Sequence, residues 1–304
     1  MKKFFKKFLL KIYYFYLDDL IPRLAVFYNK LVSKIIKPPL VKTTDETLEK
    51  IINDKCSVSR YGDGEFNIAL KGKQFFQEYD NSLSNRLIEI LNSQSNNHIV
   101  CIPDVFSSLD RFTDLGLNFW RKYLSLNRSR LYRILDKKKV YYDAMVTRLY
   151  LDKKDKSKAH DRFLKFRKIW DDREVILVEG ELSRLGVGNN LYSNVKSLKR
   201  ILCPAVNAYA RYDEILNEVK KNDTSKLILI ALGPTATVLA YDLSKMGYQA
   251  VDIGNVDIEY EWFLKGTQIK IPIKNKYTGE VPEGRNVGKL QSKEYENQIQ
   301  SEII

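Results

Sequence analysis

At 304 residues, 44% hydrophobic and 12% aromatic with 19 Tyr, the chain can build one large α/β domain or two small ones and is not disordered throughout. Its three scattered cysteines, Cys56, Cys101 and Cys203, form neither a disulfide framework nor a thiolate zinc site, and they suit a reducing cytoplasm. With only His98 and His160 present, histidine triads and histidine metal sites have little to draw on, so any metal would be a hard cation on oxygen ligands.

The formal net charge is +13, and residues 1–39 hold eight Lys, one Arg and only two Asp, a net +7. In that segment Phe4, Phe5, Phe8, Leu9 and Ile12 recur at helical spacing, with Lys3, Lys6 and Lys7 on the other side. A basic amphipathic helix of this kind reads as one lying in an anionic membrane surface at the inner face. The plainer reading is a helix docked on its own domain with its lysines in water. Lys11, Asp18 and Asp19 spoil a signal peptide, and no run of 18 apolar residues exists for a spanning helix. No nucleic-acid motif accompanies the charge, so no nucleic-acid partner is expected.

"KPPL" at 37–40 stops this segment, because proline cannot continue a helix. "TTDETLEKIIND" then starts with capping residues and carries a short helix. Apolar runs follow at "CSVSRYG", "HIVCIPDV", "YYDAMVTRLY", "EVILVEG", "KRILCP", "KLILIALG" and "YQAVDIG", with amphipathic stretches such as "NSLSNRLIEILNSQ" and "YARYDEILNEVKK" between them. Consecutive apolar residues mark strands covered on both faces, and their alternation with helices predicts a Rossmann-like α/β domain over 40–275. Its sheet should be mostly parallel with helices on both faces, and ligands should gather at the carboxyl ends of the strands. Residues 276–304 are polar and carry Gly and Pro, and they read as a loosely ordered tail.

Four motifs follow strands. Gly233, Pro234 and Thr235 open a helix, whose free N–H groups suit a phosphate; the alternative is an ordinary strand-to-helix turn. Glu179 ends a very apolar strand, and Arg184, Gly186, Gly188 and Asn189 follow it. Arg184 could pair with a diphosphate and the glycines could admit a ligand, or "GVGNN" could be a structural turn. A carboxylate at Glu179 needs a partner there, which favours a functional reading. The last two motifs are acidic pairs, "RYGDGEF" with Asp63 and Glu65, and "DIGNVDIEYEW" with Asp257 and Glu259. In an extended segment such i, i+2 carboxylates face one side and can share a cation.

Together "SRYGDGEF", "VEGELSRLGVGNNLY", "RILCPAVNAYARYDEIL", "LILIALGPTATVLAYDLSKMGYQAVDIG" and "VDIEYEWF" resemble the GT-D-type glycosyltransferases, from about residue 44 to 275 in consistent order. The resemblance implies transfer of a sugar, a hexose, from a UDP-sugar to a lipid-linked glycan or glycoprotein acceptor in cell-surface polysaccharide or glycoprotein synthesis. It also implies Mn²⁺ or Mg²⁺, with the metal-associated motif at Asp257 and Glu259. Asp63 and Glu65, with Glu179 as a further catalytic carboxylate, would serve the donor pocket, and the two acidic pairs could exchange roles. Gly62 and Gly64 would let the backbone approach the donor, and Arg60 would pair with phosphate. Asn190 stands where the related stretch has Asp, which leaves that position's role open. The competing readings are another nucleotide-binding Rossmann enzyme, against which the missing G-x-G-x-x-G counts, and a non-catalytic membrane-associated module.

Overall fold

The computed structural model describes residues 20–304. The expected helix at Phe4 to Ile12 lies outside the described residues. Helix α1 (Ile21–Ile35) leads through a two-residue strand β1 (Leu40–Val41) into α2 (Thr44–Asp54). Thr43 and Glu46 cap α2 reciprocally, each side chain satisfying a backbone N–H that the first turn leaves free. Next come β2 (Ser57–Arg60), α3 (Asp63–Ala69), α4 (Asn81–Asn92), β3 (His98–Ile102), the long α5 (Asp114–Ile134) and β4 (Val140–Asp143). Helix α6 (Ala159–Arg167), β5 (Glu174–Gly180), β6 (Ser197–Cys203), α7 (Tyr212–Val219), β7 (Leu227–Ala231) and α8 (Pro234–Lys245) follow. The chain ends with β8 (Gln249–Asp252), α9 (Val256–Leu264), α10 (Lys293–Gln298) and β9 (Ile299–Glu302).

The nine strands form one sheet in the order β1-β4-β3-β2-β8-β7-β5-β6-β9, with every pairing parallel. Strands β5 and β7 are apolar at successive positions because both faces are covered. Val175, Leu177, Leu227 and Leu229 pack toward α6 and α9, while Ile176, Val178, Ile228 and Ile230 pack toward α7 and α8. The three cysteines are buried and free. His98 is buried with Nε2 2.8 Å from Ser59 Oγ.

The chain leaves β2 toward β3 on one side and leaves β8 toward β9 on the other, so its connections diverge between the neighbouring strands β2 and β8. A doubly wound sheet binds ligands at such a point, outside the carboxyl ends of its strands. Residues 276–304 correct the expectation of a loose tail. Lys276, Thr278, Val281, Tyr295 and Ile303 are buried, and β9 pairs with β6 at the sheet edge. Four half-polar residues there cover the longer, more apolar β6, a common protection for an exposed strand edge.

Candidate active site

Two glycine turns flank the end of β8. After β2, Gly62 precedes α3, and Gly62 N donates to Glu65 Oε2 at 2.7 Å. After β7, Gly233 at φ +53° precedes α8, with Pro234 in the first turn, where a missing N–H costs nothing. The buried hydroxyl of Thr235, one residue further on, has no hydrogen-bond partner among the described residues. A segment between α3 and α4 lies across both turns. A Cβ on Gly64 would sit 2.4 Å from Gln74 Nε2, and one on Gly233 would sit 2.5 Å from the Phe76 ring. Gln74 and Phe76 are only two residues apart, so the two turns lie side by side.

Asp63 and Glu65 stand in the first turn of α3, not in an extended segment. Asp63 is half-buried, and burial pushes its carboxyl up against the pull of Arg148. Burial raises Glu65 to about 7; the Gly62 N–H opposes the rise, and Asp252 and Asp63 add to it. Around them lies a charged group that the sequence reading missed. Glu280 accepts from Arg148 at 2.6 Å and from Asn255 Nδ2 at 2.9 Å, and it pairs with Lys270. Burial alone would raise Glu280, but the two cations hold it at about 2. Arg148 lay hidden in the apolar run "AMVTRLY", Lys270 stood near the end of the expected domain without a motif around it, and Glu280 lay in the stretch whose polarity suggested a tail. Arg60 is engaged already: Nε donates to Ala144 O at 3.1 Å and Nη1 stands 3.4 Å from Asp252.

Most of the other expected residues are engaged with neighbouring side chains and backbone. Glu179 is fully buried, pairs with Arg200 and accepts from Leu185 N at 2.7 Å. Both its oxygens are thereby committed, which corrects the functional reading of that carboxylate. Arg184 holds the backbone of the closing segment, donating to Asn275 O at 3.1 Å and Gly288 O at 2.8 Å. Gly186 N and Asn189 Nδ2 each donate to Asp257 Oδ1 at 2.8 Å, and Lys276 Nζ reaches Asp257 Oδ2 at 2.7 Å. Gly188, at φ +78°, faces open space. Asn190 accepts from the Tyr260 hydroxyl at 2.7 Å.

Asp257 and Glu259 lie in the first turn of α9, where a two-residue step turns a side chain to the far side of the helix. Asp257 faces the loop after β5, whereas Glu259 Oε2 accepts from Tyr150 N at 3.1 Å and Leu151 N at 3.0 Å. The premise that this pair faces one side is therefore corrected, and its two carboxylates do not fit a shared cation. Among the described residues, no group of three or more His, Cys, Asp or Glu side chains is arranged to hold a metal by itself.

Residues 58–281 match the family model for the glycosyltransferase GT-D fold. The chain belongs to the GT-D glycosyltransferase family. It is 37% identical over 288 residues to glycosyltransferase GlyD of Streptococcus pneumoniae serotype 4 (strain ATCC BAA-334 / TIGR4), covering 93% of this chain and 35% of that protein. It is also 37% identical over 260 residues to a probable glycosyl transferase Gly of Streptococcus gordonii, covering 85% of this chain and 38% of that one. The chain thus spans little more than a third of the length of these relatives. Among solved structures it resembles a new glycosyltransferase (DUF1792) from Streptococcus sanguinis, with TM-score 0.84 and 35% identity over 88% of this chain and all of that one. A second DUF1792 structure, described as a distinct glycosyltransferase fold, matches with TM-score 0.84 and 38% identity over 91% of this chain and 99% of the other. In this GT-D member the two glycine turns, Asp63 and the Arg148–Glu280–Lys270 group all gather at the sheet's diverging point.

Proposed function

We propose that this GT-D enzyme transfers a hexose from a UDP-sugar to a lipid-linked glycan or glycoprotein acceptor in cell-surface polysaccharide or glycoprotein synthesis. It would work on the cytoplasmic side, held at the inner membrane face by its basic amino-terminal segment. The observation that carries the reading of the site is the adjacency of the Gly62 and Gly233 turns under Gln74 and Phe76.

Glycosyl transfer needs a stabilised diphosphate leaving group. The amino terminus of α8 supplies backbone N–H groups, and the orphaned Thr235 hydroxyl is a donor waiting for an acceptor. Donor entry requires Gln74 and Phe76 to move aside. Asp63 is the carboxylate that fits the expected Mn²⁺ or Mg²⁺, because burial leaves its charge undercompensated. Glu65, two residues on in the same helical turn, is turned away from it and caps Gly62 N. Small divalent ions take one or two protein carboxylates and complete their shell with substrate phosphates. When bound, the ion would neutralise charge developing on the diphosphate. Arg148 and Lys270, fixed by Glu280, supply protein-borne positive charge beside Asp63.

The test measures UDP binding with and without Mn²⁺, UDP-sugar turnover, and NAD binding as a control. Wild-type protein should bind UDP more tightly with Mn²⁺, and Asp63→Ala should lose that gain with a turnover loss of about a hundredfold or more. Binding of NAD but not UDP would sink the proposal. An Mn²⁺ response unchanged in that variant would return the metal to another site.

A further inference from the structure

We infer that the outward face of α1 is the surface that seats the enzyme on an anionic lipid layer. This deepens the reading of an amino-terminal membrane segment and rests on it. Helix α1 has three distinct sides. The inner side packs on α5 through Val32 and Asn29, whose amide donates to Ser125 O at 2.9 Å and whose oxygen accepts from Ser129 N at 2.7 Å. The outer side carries Leu24, Phe27, Leu31 and Ile35 at three- and four-residue steps, with exposures of 57%, 63%, 42% and 79%. Beside that stripe run Lys30, Lys34 and Lys37, all exposed, and none enters an ion pair among the described residues.

This arrangement inverts a helix made only for its own domain. Such a helix turns its apolar side inward and its polar side to water. Here a buried Asn faces inward and the larger apolar side chains face out. The occupant of that outer face can be read from charge. Residues 20–44 carry Arg23, Lys30, Lys34, Lys37 and Lys42 and no Asp or Glu, so the chain around the stripe is basic. A second copy of the same face would bring like charges together, whereas an anionic lipid surface satisfies both the lysines and the aromatic and aliphatic groups.

The test is co-sedimentation of the full-length chain with phosphatidylcholine vesicles, either pure or containing about one-third phosphatidylglycerol. Wild-type protein should bind only the anionic vesicles and should come off as salt rises. The double variant Phe27→Asp/Leu31→Asp should lose about tenfold or more of this binding. Lys30→Glu/Lys34→Glu/Lys37→Glu should do the same. Both should keep wild-type UDP-sugar turnover in solution and wild-type unfolding temperature, since every changed side chain is exposed. Undiminished binding by the Phe27/Leu31 variant overturns the inference. If only Lys3→Glu/Lys6→Glu/Lys7→Glu then abolishes binding, the general membrane reading stands and the role of α1 falls. Wild-type protein that ignores both vesicle types defeats both. A wild-type dimer that the Phe27/Leu31 variant disperses would assign the face to a second copy instead.

Discussion

Glu179 shows how a single carboxylate can be mistaken for chemistry. Its position after an apolar strand demands a partner, and Arg200, itself buried and stacked 4.7 Å from the Tyr295 ring centroid, provides one. Removing one member of a buried pair strands the other charge. Glu179→Ala is therefore expected to cost about 3–5 kcal/mol of stability, read by denaturant unfolding. A variant of wild-type stability that had lost turnover would instead restore the catalytic reading. Glu259 makes a different prediction. Burial raises its carboxyl to about 7 against the pull of Arg148, and Oε1 has no hydrogen bond among the described residues. Because the folded value lies above the unfolded one, the folded state holds the extra proton between them. Stability should then fall as pH rises from about 4.5 to about 7 and level off above, by up to roughly 3 kcal/mol from this group. Glu259→Gln keeps an acceptor for Tyr150 N and Leu151 N, so it should flatten that slope. Parallel pH–stability curves for the two proteins would exclude Glu259 as the cause.

At the level of elements, the α9 pair explains a systematic limit of motif reading. The same two letters share a face in a strand and part company in a helix, and "DIGNVDIEYEW" gives no cue to which applies. Asp257, with Gly186, Asn189 and Lys276, ties the loop after β5 to the closing segment. The strand-to-helix turn at Gly233 was easier to recognise, because Gly-Pro-Thr after "LILIAL" states both the end of a strand and the start of a helix. Its neighbour was not legible: nothing in "KQFFQEY" says that Phe76 will lie on that glycine. Gly233→Ala is expected to destabilise by about 1–3 kcal/mol. The replacement would have to hold φ +53° and would push Phe76 away. Unfolding midpoints give the cost. If alanine were neutral there, the close packing of Phe76 on the turn would be wrong.

Across the whole molecule, the parallel sheet was readable because strands such as β5 and β7 carry unbroken apolar runs, VILV and LILIA. Its edges were not. Strand β1 has only two residues, and β9, "IQSE", carries no apolar run at all, so neither announces itself. The 21 residues of α5 escaped for a related reason, since Arg and Lys interrupt its apolar face throughout. The polar stretch after residue 275 looked loose because its role is to neutralise charge rather than to fill space. Lys276 lies between Asp257 and Glu261, and Glu280 sits between Arg148 and Lys270.

That arrangement also sets an order in time. A chain growing at roughly 5–20 residues per second lays down the Asp63 turn and the Gly233 turn well before residues 270–302 arrive. Until then Asp257 and Glu261 lack their lysine, Arg148 lacks Glu280, and β6 offers a bare row of backbone groups to any passing strand. A nascent chain halted in that interval would hold both glycine turns yet lack the charges that finish the site. It would be prone to stick to its neighbours and unable to spend donor. The segment that supplies Glu280 and Lys270 to the proposed site is also the one that covers the β6 edge, so both gains arrive together.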